Sequence, residues 1–480
     1  MTKNPACHWI NNEWVYSDAV REAINPATYD VIGTYYDGSE VEALQAIAAA
    51  KYAFETTRWR HDKNLRANVI EKIAQRFEKN TECLINLLST ENGKLTSEAR
   101  FEINMIPSKL RYYGALARSE KGESGTPLPD TLSITLKEAV GVAGIIVPWN
   151  SPAVLAIRSL APALAAGCTC VVKMPGQTAL TNSLIAHILS QVDELPPGVI
   201  NIFNEFGATG AQTLVSSPDT DVISFTGSTK TGAIIAAQAG KLFKRCGLEL
   251  GGKSPHLIFS DTDYTKMLPI LQRTATVFAG QFCMAGSRFI VHEDIVEQLS
   301  RDIAHHFSSI KLGPASDPAS EMGPLIDKEN VVRVDKLVED AITQGAEIIA
   351  RGGPVKQGAL AKGAFYMPTL LKLSDPNMAI VQEETFGPVI TIQTFKTEEE
   401  ALVLANNSRY GLAASVWTQD VHLAFRVSKA LQVGTVWIND WAKVYDEFEE
   451  GGYKSSGIGR LNGPSAMDEF LEIKHITLTT

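Results

Sequence analysis

Residues 221–240 have the sequence DVISFTGSTKTGAIIAAQAG, in which a short apolar run, a glycine turn and a helical pattern follow one another directly. The run at 221–225 predicts a buried strand, and the segment 231–240 predicts a helix. A strand that passes through a glycine turn into a helix is the repeating unit of parallel α/β sheets. The turn FTGSTKTG at 225–232 would bring backbone N–H groups and the positive end of the helix dipole together, an arrangement that binds phosphate.

The same alternation of strands and helices is found on both sides of this stretch. Strands are predicted at 141–147, 169–173 and 287–292, and helices at 153–166, 178–192, 267–279, 321–336 and 398–405. This order predicts an α/β fold with parallel sheets, in which the first lobe is of the Rossmann type.

The composition is that of an ordinary soluble chain of 480 residues, with 45% hydrophobic and 20% charged residues and a formal net charge of -10. There is no Lys/Arg-rich block, so nucleic acid is not an expected partner. No apolar stretch reaches the roughly 18 residues needed to cross a bilayer, so no membrane association is expected. The six cysteines have neither zinc-site nor disulfide-scaffold spacing, so no metal site is expected. Free thiols and the lack of an apolar signal core at the start predict a cytoplasmic protein.

Two short motifs carry the chemistry that the sequence suggests. Cys283 lies in GQFCMAGSR at 280–288, and Glu249 lies upstream in LELGGK at 248–253. A cysteine thiolate is a strong nucleophile for a carbonyl carbon, and a nearby carboxylate can be the base that releases an acyl group by hydrolysis. The attacked carbonyl becomes an oxyanion that needs hydrogen-bond donors, and the amide of Asn150, which ends the motif PWN, is a suitable donor.

These motifs resemble those of the aldehyde dehydrogenase superfamily, and the resemblance runs from WINNEW at 9–14 to the last strand-like residues. It implies the family fold, with a Rossmann-type cofactor lobe, an α/β catalytic lobe and a β-strand flap for oligomerisation. It also implies NAD(P)-dependent oxidation of a small-molecule aldehyde to a carboxylic acid through a thiohemiacetal and a thioester on Cys283. In that reaction the amide of Asn150 and the backbone N–H of Cys283 would hold the oxyanion, and Glu249 would activate the water that hydrolyses the thioester.

The resemblance also assigns a cofactor site. The expected residues are Trp149, Lys173, Gly176, Gly227, Ser228, Glu384 and Phe386. Lys173 would reach the adenosine ribose, while Glu384 would hold the nicotinamide ribose and Phe386 would pack beside its ring. Many relatives have Glu where Gly176 stands, and that carboxylate accepts from the ribose hydroxyls and would repel a 2′-phosphate. Gly176 does neither, so NADP is expected to be accepted at a measurable fraction of the NAD rate. Lys173 can also serve the free ribose hydroxyls, so NAD remains the expected cofactor.

The expected substrate pocket departs from the family pattern. Its residues are Arg158, Phe282, Met284, Trp441 and Glu450. Aromatic residues are frequent in relatives where Arg158 and Glu450 stand, so either these two charges form a salt bridge with each other or the substrate is polar. Ser159 and Leu461 stand where some relatives have a Lys and a Glu that form a proton-relay pair, so thioester hydrolysis is not expected to use that route. The motifs are shared across substrates and leave the aldehyde itself open.

The predicted domain organisation has three parts. Residues 1–120 and 140–250 form the NAD(P)-binding domain, 251–450 the catalytic domain, and 121–139 with 467–480 the oligomerisation segments. The alternating strands at 131–140 and 470–478 have no expected partner within either lobe. Because isolated two-stranded elements are marginal in water, we expect these strands to pair with another subunit of a homodimer or homotetramer.

Three other interpretations were weighed against this one. A CoA-acylating semialdehyde dehydrogenase would pass the thioester to CoA, but a hydrolytic base at Glu249 would waste that intermediate. A non-catalytic binding protein on the same fold would not need Cys283, Glu249 and Asn150 together. A cysteine hydrolase would leave the dinucleotide features without a purpose, and no histidine stands in a motif that would make it the base.

Overall fold

An eight-stranded β-sheet organises the first part of the chain, of which the computed structural model describes residues 5–479. In spatial order its strands are Glu13–Val15, His8–Ile10, Ile200–Glu205, Thr169–Pro175, Val142–Ile146, Val222–Thr226, Arg245–Glu249 and Gly457–Ile458. The strands from Ile200–Glu205 to Arg245–Glu249 run parallel, and the outer ones are antiparallel. Parallel strands bring their carboxyl ends to one edge of the sheet, where ligands bind in folds of this kind.

Helices pack in two layers against this sheet. They are Glu40–Thr56, Lys63–Lys79, Thr81–Asn92, Thr96–Ser119, Pro152–Ala166, Ala179–Ser190, Thr209–Ser216 and Thr229–Gly240. The predicted strand–turn–helix unit is present as the strand Val222–Thr226 and the helix Thr229–Gly240, so that prediction is confirmed. The helix Pro152–Ala166 begins with a proline, whose fixed φ suits the first turn, and is capped by Gly167 in the left-handed conformation with φ 104°.

A seven-stranded sheet organises the second part of the chain. In spatial order its strands are Glu347–Ala350, Thr369–Lys372, Val389–Phe395, Arg288–His292, Pro255–Ile258, Ala413–Trp417 and Thr435–Ile438. The edge strand Glu347–Ala350 is antiparallel to its neighbour, and the other pairs are parallel. Its helices are Tyr264–Thr274, Glu293–Ser309, Lys328–Thr343, Ala379–Gln382, Glu398–Asn406 and Val421–Ala430.

Short elements complete the described part of the chain. They are the hairpin Val20–Ile24 with Val31–Tyr36, the strand pairs Gly353–Pro354 with Tyr366–Met367 and Tyr410–Gly411 with Tyr453–Lys454, and the 3-10 helices Gly176–Thr178, Val277–Gly280, Ala359–Lys362 and Pro464–Phe470. Among the helices within residues 5–479, none has the length and apolar character needed to cross a membrane.

The helix predicted at 321–336 begins later than expected, as Lys328–Thr343. Its first turn is capped by Asp327, whose Oδ1 accepts a hydrogen bond from the N–H of Asn330 at 2.7 Å. Pro324 lies before this cap in non-helical chain, because proline disrupts the interior of a helix.

A separate three-stranded antiparallel sheet is formed by Ser124–Leu128, Thr131–Ala139 and Leu471–Thr479. The two longer strands pair along their whole length. The expectation that each of them needs another subunit as its strand partner was therefore wrong, because the two segments supply each other's hydrogen bonds. One face of this sheet carries apolar side chains that are between 41% and 57% exposed, namely Leu132, Leu136, Ile476 and Leu478.

Candidate active site

Cys283 lies in a loop that follows the helix Tyr264–Thr274, whereas the sequence predicted a helix extending to residue 279. Before this loop, Phe278, Ala279 and Gly280 all adopt left-handed conformations, with φ values of 52°, 52° and 73°. Two consecutive non-glycine residues in this region are strained, and such strain persists only where the surroundings hold it. The left-handed turn ends the helical path and directs the chain into the Cys283 loop.

Glu98, from the helix Thr96–Ser119, holds this turn in place. Its Oε1 accepts a hydrogen bond from the N–H of Phe278 at 2.7 Å. Gly280 packs so closely that a Cβ atom added to it would overlap the carbonyl carbon of Gly387. Glycine is therefore required at position 280 by both its conformation and the lack of space.

Asn150 lies beside the Cys283 loop. Its Nδ2 donates to the backbone oxygen of Gln281 at 3.1 Å, and its own backbone oxygen accepts from Lys94 Nζ at 2.7 Å. The side-chain amide therefore faces the chain just before Cys283, and it carries a second N–H that can donate to an oxyanion.

A buried ion pair fixes the chain around Asn150. Lys94 Nζ lies 2.6 Å from Glu102 Oε2, and both side chains are 1% exposed. Glu102 Oε1 also accepts from the N–H groups of Ala153 and Val154, at 2.9 and 3.2 Å, in the first turn of the following helix. Removal of one partner from a buried ion pair typically costs about 3–5 kcal/mol, so this pair holds Asn150 firmly.

Glu249 ends the strand Arg245–Glu249 and is 4% exposed. Its Oε1 has no hydrogen-bond partner among residues 5–479. Burial raises the pKa of its carboxyl well above the ordinary value, and the charge of Arg158 opposes part of this rise. A Cβ atom added to Gly252 would stand 2.9 Å from the backbone oxygen of Cys283. The glycines of the motif LELGGK therefore allow the chain that carries Glu249 to approach the Cys283 loop.

The thiol of Cys283 is protonated at neutral pH in this environment. Burial raises its pKa to about 12, and the charge of Arg158 works against this rise. A thiol with such a pKa is a poor nucleophile until a neighbouring base removes its proton. The charge of Glu249 is among those that act on the thiol of Cys283.

The two charged residues of the predicted pocket form a buried ion pair with each other. Arg158 Nη1 contacts Glu450 Oε1, and both side chains are 7% exposed. Arg158 Nη2 also donates to Thr226 Oγ1 at 3.1 Å. Burial is the largest single effect and lowers the pKa of Arg158, but the charges of Glu450, Glu249 and Cys283 and the hydrogen bond to Glu450 together outweigh it and raise the pKa. Of the two interpretations of these charges, the structure contains the mutual salt bridge.

Aromatic and acidic side chains line the cavity beside Met284, the residue after Cys283. Trp441 Nε1 donates to the backbone oxygen of Met284 at 3.0 Å, and the ring of Phe282 meets Trp441 edge-on at 6.0 Å. The cavity itself is lined by residues that include Met284, Trp437, Lys443, Tyr445, Phe448, Glu449 and Glu450. The predicted pocket residues Phe282, Met284, Trp441 and Glu450 thus lie together, and Arg158 is attached to them through Glu450.

Lys173 lies in the strand Thr169–Pro175, at the edge of the first sheet where the parallel strands end. It is 9% exposed, and its ammonium has no hydrogen-bond partner within the described residues. Burial lowers its pKa, and the carboxylates of Glu205 and Asp37 oppose this effect. A buried ammonium without a hydrogen-bond partner is a group that ribose hydroxyls would satisfy.

Gly176 follows this strand and packs against Tyr35 and Phe206. A Cβ atom added to it would stand 2.6 Å from Tyr35 Oη and 2.9 Å from Phe206 Cα. A side chain at this position would therefore displace backbone. Replacement of Gly176 by Glu would disturb the packing as well as any contact with a ribose.

The protein itself uses part of the glycine turn. The N–H of Gly227 donates to the backbone oxygen of Glu249 at 3.0 Å, so it is not free to bind a phosphate. Ser228 caps the helix Thr229–Gly240, and its Oγ accepts from the N–H of Thr231 at 3.2 Å. The positive end of this helix remains available for an anion.

Glu384, Phe386 and Trp149 lie close to the segment that follows Glu249. Glu384 Oε1 accepts from the N–H of Gly252 at 3.2 Å, and burial raises its pKa to about 7. Phe386 has a left-handed φ of 49°, and its ring meets that of Trp149 edge-on at 5.6 Å. Glu384 is therefore next to the segment that follows Glu249, while Lys173 and Ser228 lie along the edge of the first sheet.

Sequence reasoning missed the residues that hold the site in place. They are Lys94, Glu98, Glu102 and Gln281. Glu98 and Glu102 are four residues apart and so lie on one face of a helix, where like charges repel each other in water. That repulsion was a sign that both carboxylates have buried partners, but the sequence did not show which partners.

Comparison with known proteins places the chain in a family. It matches the model of the aldehyde dehydrogenase family over residues 14–476. It is 38% identical to betaine aldehyde dehydrogenase of Bacillus subtilis (strain 168), over 98% of this chain and 97% of that protein. It is 36% identical to retinal dehydrogenase 2 of Gallus gallus, over 98% of this chain and 91% of that protein. A crystal structure of betaine aldehyde dehydrogenase from Staphylococcus aureus in complex with NAD+ is 37% identical, with a TM-score of 0.96 over 98% of this chain and 94% of that chain.

The chain therefore belongs to the aldehyde dehydrogenase family. This membership confirms the resemblance, the α/β fold with its Rossmann-type lobe, and the prediction of an NAD-dependent enzyme that oxidises an aldehyde to a carboxylic acid. The roles of individual residues and the domain bounds stay predictions.

We expect Gly280→Ala to be more damaging than Gly345→Ala. Both glycines have left-handed φ values, 73° and 99°, so either substitution carries a conformational cost of about 1–2 kcal/mol. The added Cβ overlaps Gly387 at position 280 but meets nothing within 4 Å at position 345. Urea unfolding should show the larger loss for Gly280→Ala. Only that variant should lower kcat/KM for an aldehyde, by about tenfold or more, because it displaces the Cys283 loop. Equal effects of the two substitutions would contradict this account of the loop.

Proposed function

We propose that this chain oxidises a small aldehyde with a cationic tail to the carboxylic acid, with NAD as its cofactor. The observation that carries the chemistry is the convergence of Cys283, Asn150 and the buried carboxyl of Glu249, whose Oε1 has no partner among the described residues. The aromatic and acidic wall of the cavity beside Met284 supports the choice of substrate.

In the proposed reaction, Glu249 takes the proton of the thiol, and Cys283 Sγ attacks the aldehyde carbon. The oxyanion of the thiohemiacetal receives hydrogen bonds from Asn150 Nδ2 and from the backbone N–H of Cys283. NAD, when bound, supplies the acceptor for the hydride that leaves the thiohemiacetal carbon. Glu249 gives up the thiol proton before hydrolysis begins. The thioester is then attacked by a water molecule whose proton Glu249 takes, and Cys283 leaves as the thiolate, which starts the next turnover, while the acid is released.

The residues of the chain fit the parts of a nicotinamide dinucleotide. The ammonium of Lys173 would bond the adenosine ribose, and the helix end at Ser228 would face the pyrophosphate. Glu384 would accept from the nicotinamide ribose, and the pair of Phe386 and Trp149 would lie beside the nicotinamide ring. The related Staphylococcus aureus enzyme is solved in complex with NAD+, which supports NAD as the cofactor here.

The wall of the substrate cavity supports a cationic tail. The segment 440–450, DWAKVYDEFEE, supplies much of this wall. Its acidic residues Glu449 and Glu450 line the cavity with Lys443, and Glu450 is paired with Arg158. The rings of Tyr445 and Phe448 are 58% and 70% exposed and are free to contact a ligand. An ammonium group over an aromatic face gains about 0.5–2 kcal/mol. Two of the relatives above are betaine aldehyde dehydrogenases, and betaine aldehyde has a trimethylammonium group.

We expect betaine aldehyde to have a higher kcat/KM than 3,3-dimethylbutanal, which has the same shape but a tert-butyl group in place of the trimethylammonium group. The difference should be about tenfold, from the cation–π and charge attraction, and should fall as salt is added. The two aldehydes also differ in intrinsic reactivity, so the ratio is compared between the wild type and Phe448→Leu. The ratio should decrease in the variant. A ratio that is the same in both proteins would show that the cavity wall does not distinguish a cationic tail from a neutral one.

We expect Cys283→Ala to abolish aldehyde oxidation, while Cys246→Ala, which removes another free thiol, should retain it. Glu249→Gln should slow hydrolysis of the thioester by about 100-fold or more while hydride transfer proceeds, because general-base catalysis contributes on that scale. A stopped-flow experiment should then show a burst of NADH of about one equivalent per site, followed by slow turnover. Turnover by Cys283→Ala at the wild-type rate would overturn the assignment of the nucleophile.

We propose that the chain forms a homodimer or homotetramer through the three-stranded sheet. The apolar face of this sheet is exposed, and the outer strand Leu471–Thr479 has one unpaired edge within the described chain. Ile476→Asp, on that face, should shift the sedimentation of the protein from oligomer to monomer. Val403→Asp places the same charge on an exposed helical residue elsewhere and should have no such effect. A full-length protein that sediments as a monomer at micromolar concentration would refute the proposal.

We also propose a cytoplasmic location. All six cysteines are free thiols, which is usual for proteins of a reducing compartment.

A further inference from the structure

Glu469 has a buried carboxylate in a space that two glycines provide. Its Oε2 occupies the place where a Cβ on Gly247 would stand, and its Oε1 occupies the place of a Cβ on Gly459. Oε1 accepts a hydrogen bond from the N–H of Arg460 at 3.1 Å, whereas Oε2 has no partner among residues 5–479. Any larger residue at either glycine would expel this carboxylate.

The position of Glu469 over Gly247 makes it a neighbour of Glu249. Side chains two residues apart on a strand point to the same face and are about 7 Å apart. Glu469 Oε2 fills the side-chain position of Gly247, so it stands beside Glu249 on that face of the strand Arg245–Glu249. A Cβ atom added to Gly451 would stand 2.9 Å from Glu249 Oε1 and 2.9 Å from the backbone oxygen of Gly459.

Hydrolysis of the thioester requires a group near Glu249 that accepts the proton which Glu249 takes from water. The water proton that Glu249 takes must leave before the next turnover, and Glu249 is 4% exposed. Ser159 and Leu461, at the positions of the relay pair in some relatives, give no route out. Ser159 Oγ accepts from Ser224 Oγ at 2.9 Å, and Leu461 is packed in the apolar core.

The surroundings of Glu469 connect it to solvent. A cavity of about 500 Å³ is lined by Arg245, Cys246, Gly459, Arg460, Ser465, Asp468 and Glu469. The side chain of Asp468 is 61% exposed, so the cavity opens to water there. The charged groups that act on Glu249 are Arg158, Glu450, Glu469 and Arg460. Burial raises the pKa of Glu469 to about 7, with the charge of Arg460 opposing, so near neutral pH it can both accept and release a proton.

We propose that Glu469 receives the proton that Glu249 takes from the hydrolytic water and passes it to solvent through this cavity. The inference rests on the proposed function of Cys283 and Glu249. The water oxygen bonds to the thioester carbon as its O–H bond breaks and the proton goes to Glu249. The C–S bond then breaks and Cys283 leaves as the thiolate. Glu249 gives the proton to Glu469 through a water molecule between the two carboxylates, and Glu469 gives it to bulk water, so both carboxylates return to their starting state.

Deacylation can be measured without a cofactor. p-Nitrophenyl acetate should acetylate Cys283 and release one p-nitrophenolate per site in a burst, and the following steady rate reports hydrolysis of the thioester. Glu469→Gln should leave the burst amplitude unchanged and slow the steady rate by about tenfold or more. Glu469→Asp, which keeps a carboxylate, should retain more of the steady rate than Glu469→Gln. Glu399→Gln makes the same change at an exposed position of the helix Glu398–Asn406, away from this cavity, and should behave like the wild type.

Two further readouts separate proton transfer from a structural role. Formate, a small carboxylate that can enter the cavity, should restore the steady rate of Glu469→Gln and leave the wild type and Glu399→Gln unchanged. In the wild type the steady rate should rise with pH through about 7, as Glu469 loses its proton and becomes an acceptor. Glu469→Gln should lose this rise.

A steady rate in Glu469→Gln equal to that of the wild type would overturn the inference, as would a slow rate that formate does not restore. If instead the wild type shows no burst, the proposed function of Cys283 fails. The burst amplitude also counts the folded sites in each variant, so a loss of folding is not read as a loss of proton transfer.

Discussion

The ammonium of Lys94 joins the two sides of the active site, because it contacts the chain that bears Asn150 and the turn that leads to Cys283. Its Nζ donates to Glu102 at 2.6 Å and to the backbone oxygen of Asn150 at 2.7 Å, and it lies 4.2 Å from the ring centroid of Phe278. A charge withdrawn from water is costly unless its hydrogen-bonding capacity is used. Here that requirement fixes Asn150 and the turn before the Cys283 loop relative to one common point.

Burial has the same consequence for the acids around this point. It raises the pKa of Glu249, Cys283, Glu384 and Glu469, so each is biased towards its neutral form. A site of this kind holds little uncompensated charge before substrate arrives. In the proposed mechanism protons therefore move between buried groups, since Glu249 is only 4% exposed.

The parts of the fold that depend on local pattern could be predicted from the sequence. The strand–turn–helix unit at 221–240 and the stop at Gly167 follow from hydrophobic period and glycine conformation. The turn at Val277–Gly280 could not be predicted, because no local residue opposes a helix there. What stops the helix is tertiary, namely the carboxylate of Glu98 and the backbone of Gly387, and both come from distant parts of the chain.

The candidate site shows the same division. The motifs around Cys283 and Glu249 pointed to the chemistry, because their residue types and glycines are what the reaction requires. Whether Arg158 and Glu450 would pair with each other or with a substrate could not be read from the sequence, since they are far apart along the chain and their contact depends on how the lobes pack. The pairing of Thr131–Ala139 with Leu471–Thr479 was missed for the same reason.

The departures from the family pattern around Glu249 are related to one another. Where relatives frequently have two aromatic residues, this chain has the ion pair of Arg158 and Glu450, and where some have Lys and Glu, it has Ser159 and Leu461. One buried cation and one buried anion are therefore still present next to Glu249, and Arg158 opposes the rise in the pKa of Glu249 as a lysine there would. A guanidinium, however, does not release its proton near neutral pH, whereas a lysine ammonium can when it is buried. The ion pair can therefore tune Glu249 but cannot carry its proton away. The group that carries this proton away has to titrate near neutrality. Glu469, whose carboxylate lies beside Glu249 on the same face of the strand Arg245–Glu249, has a pKa that burial raises to about 7.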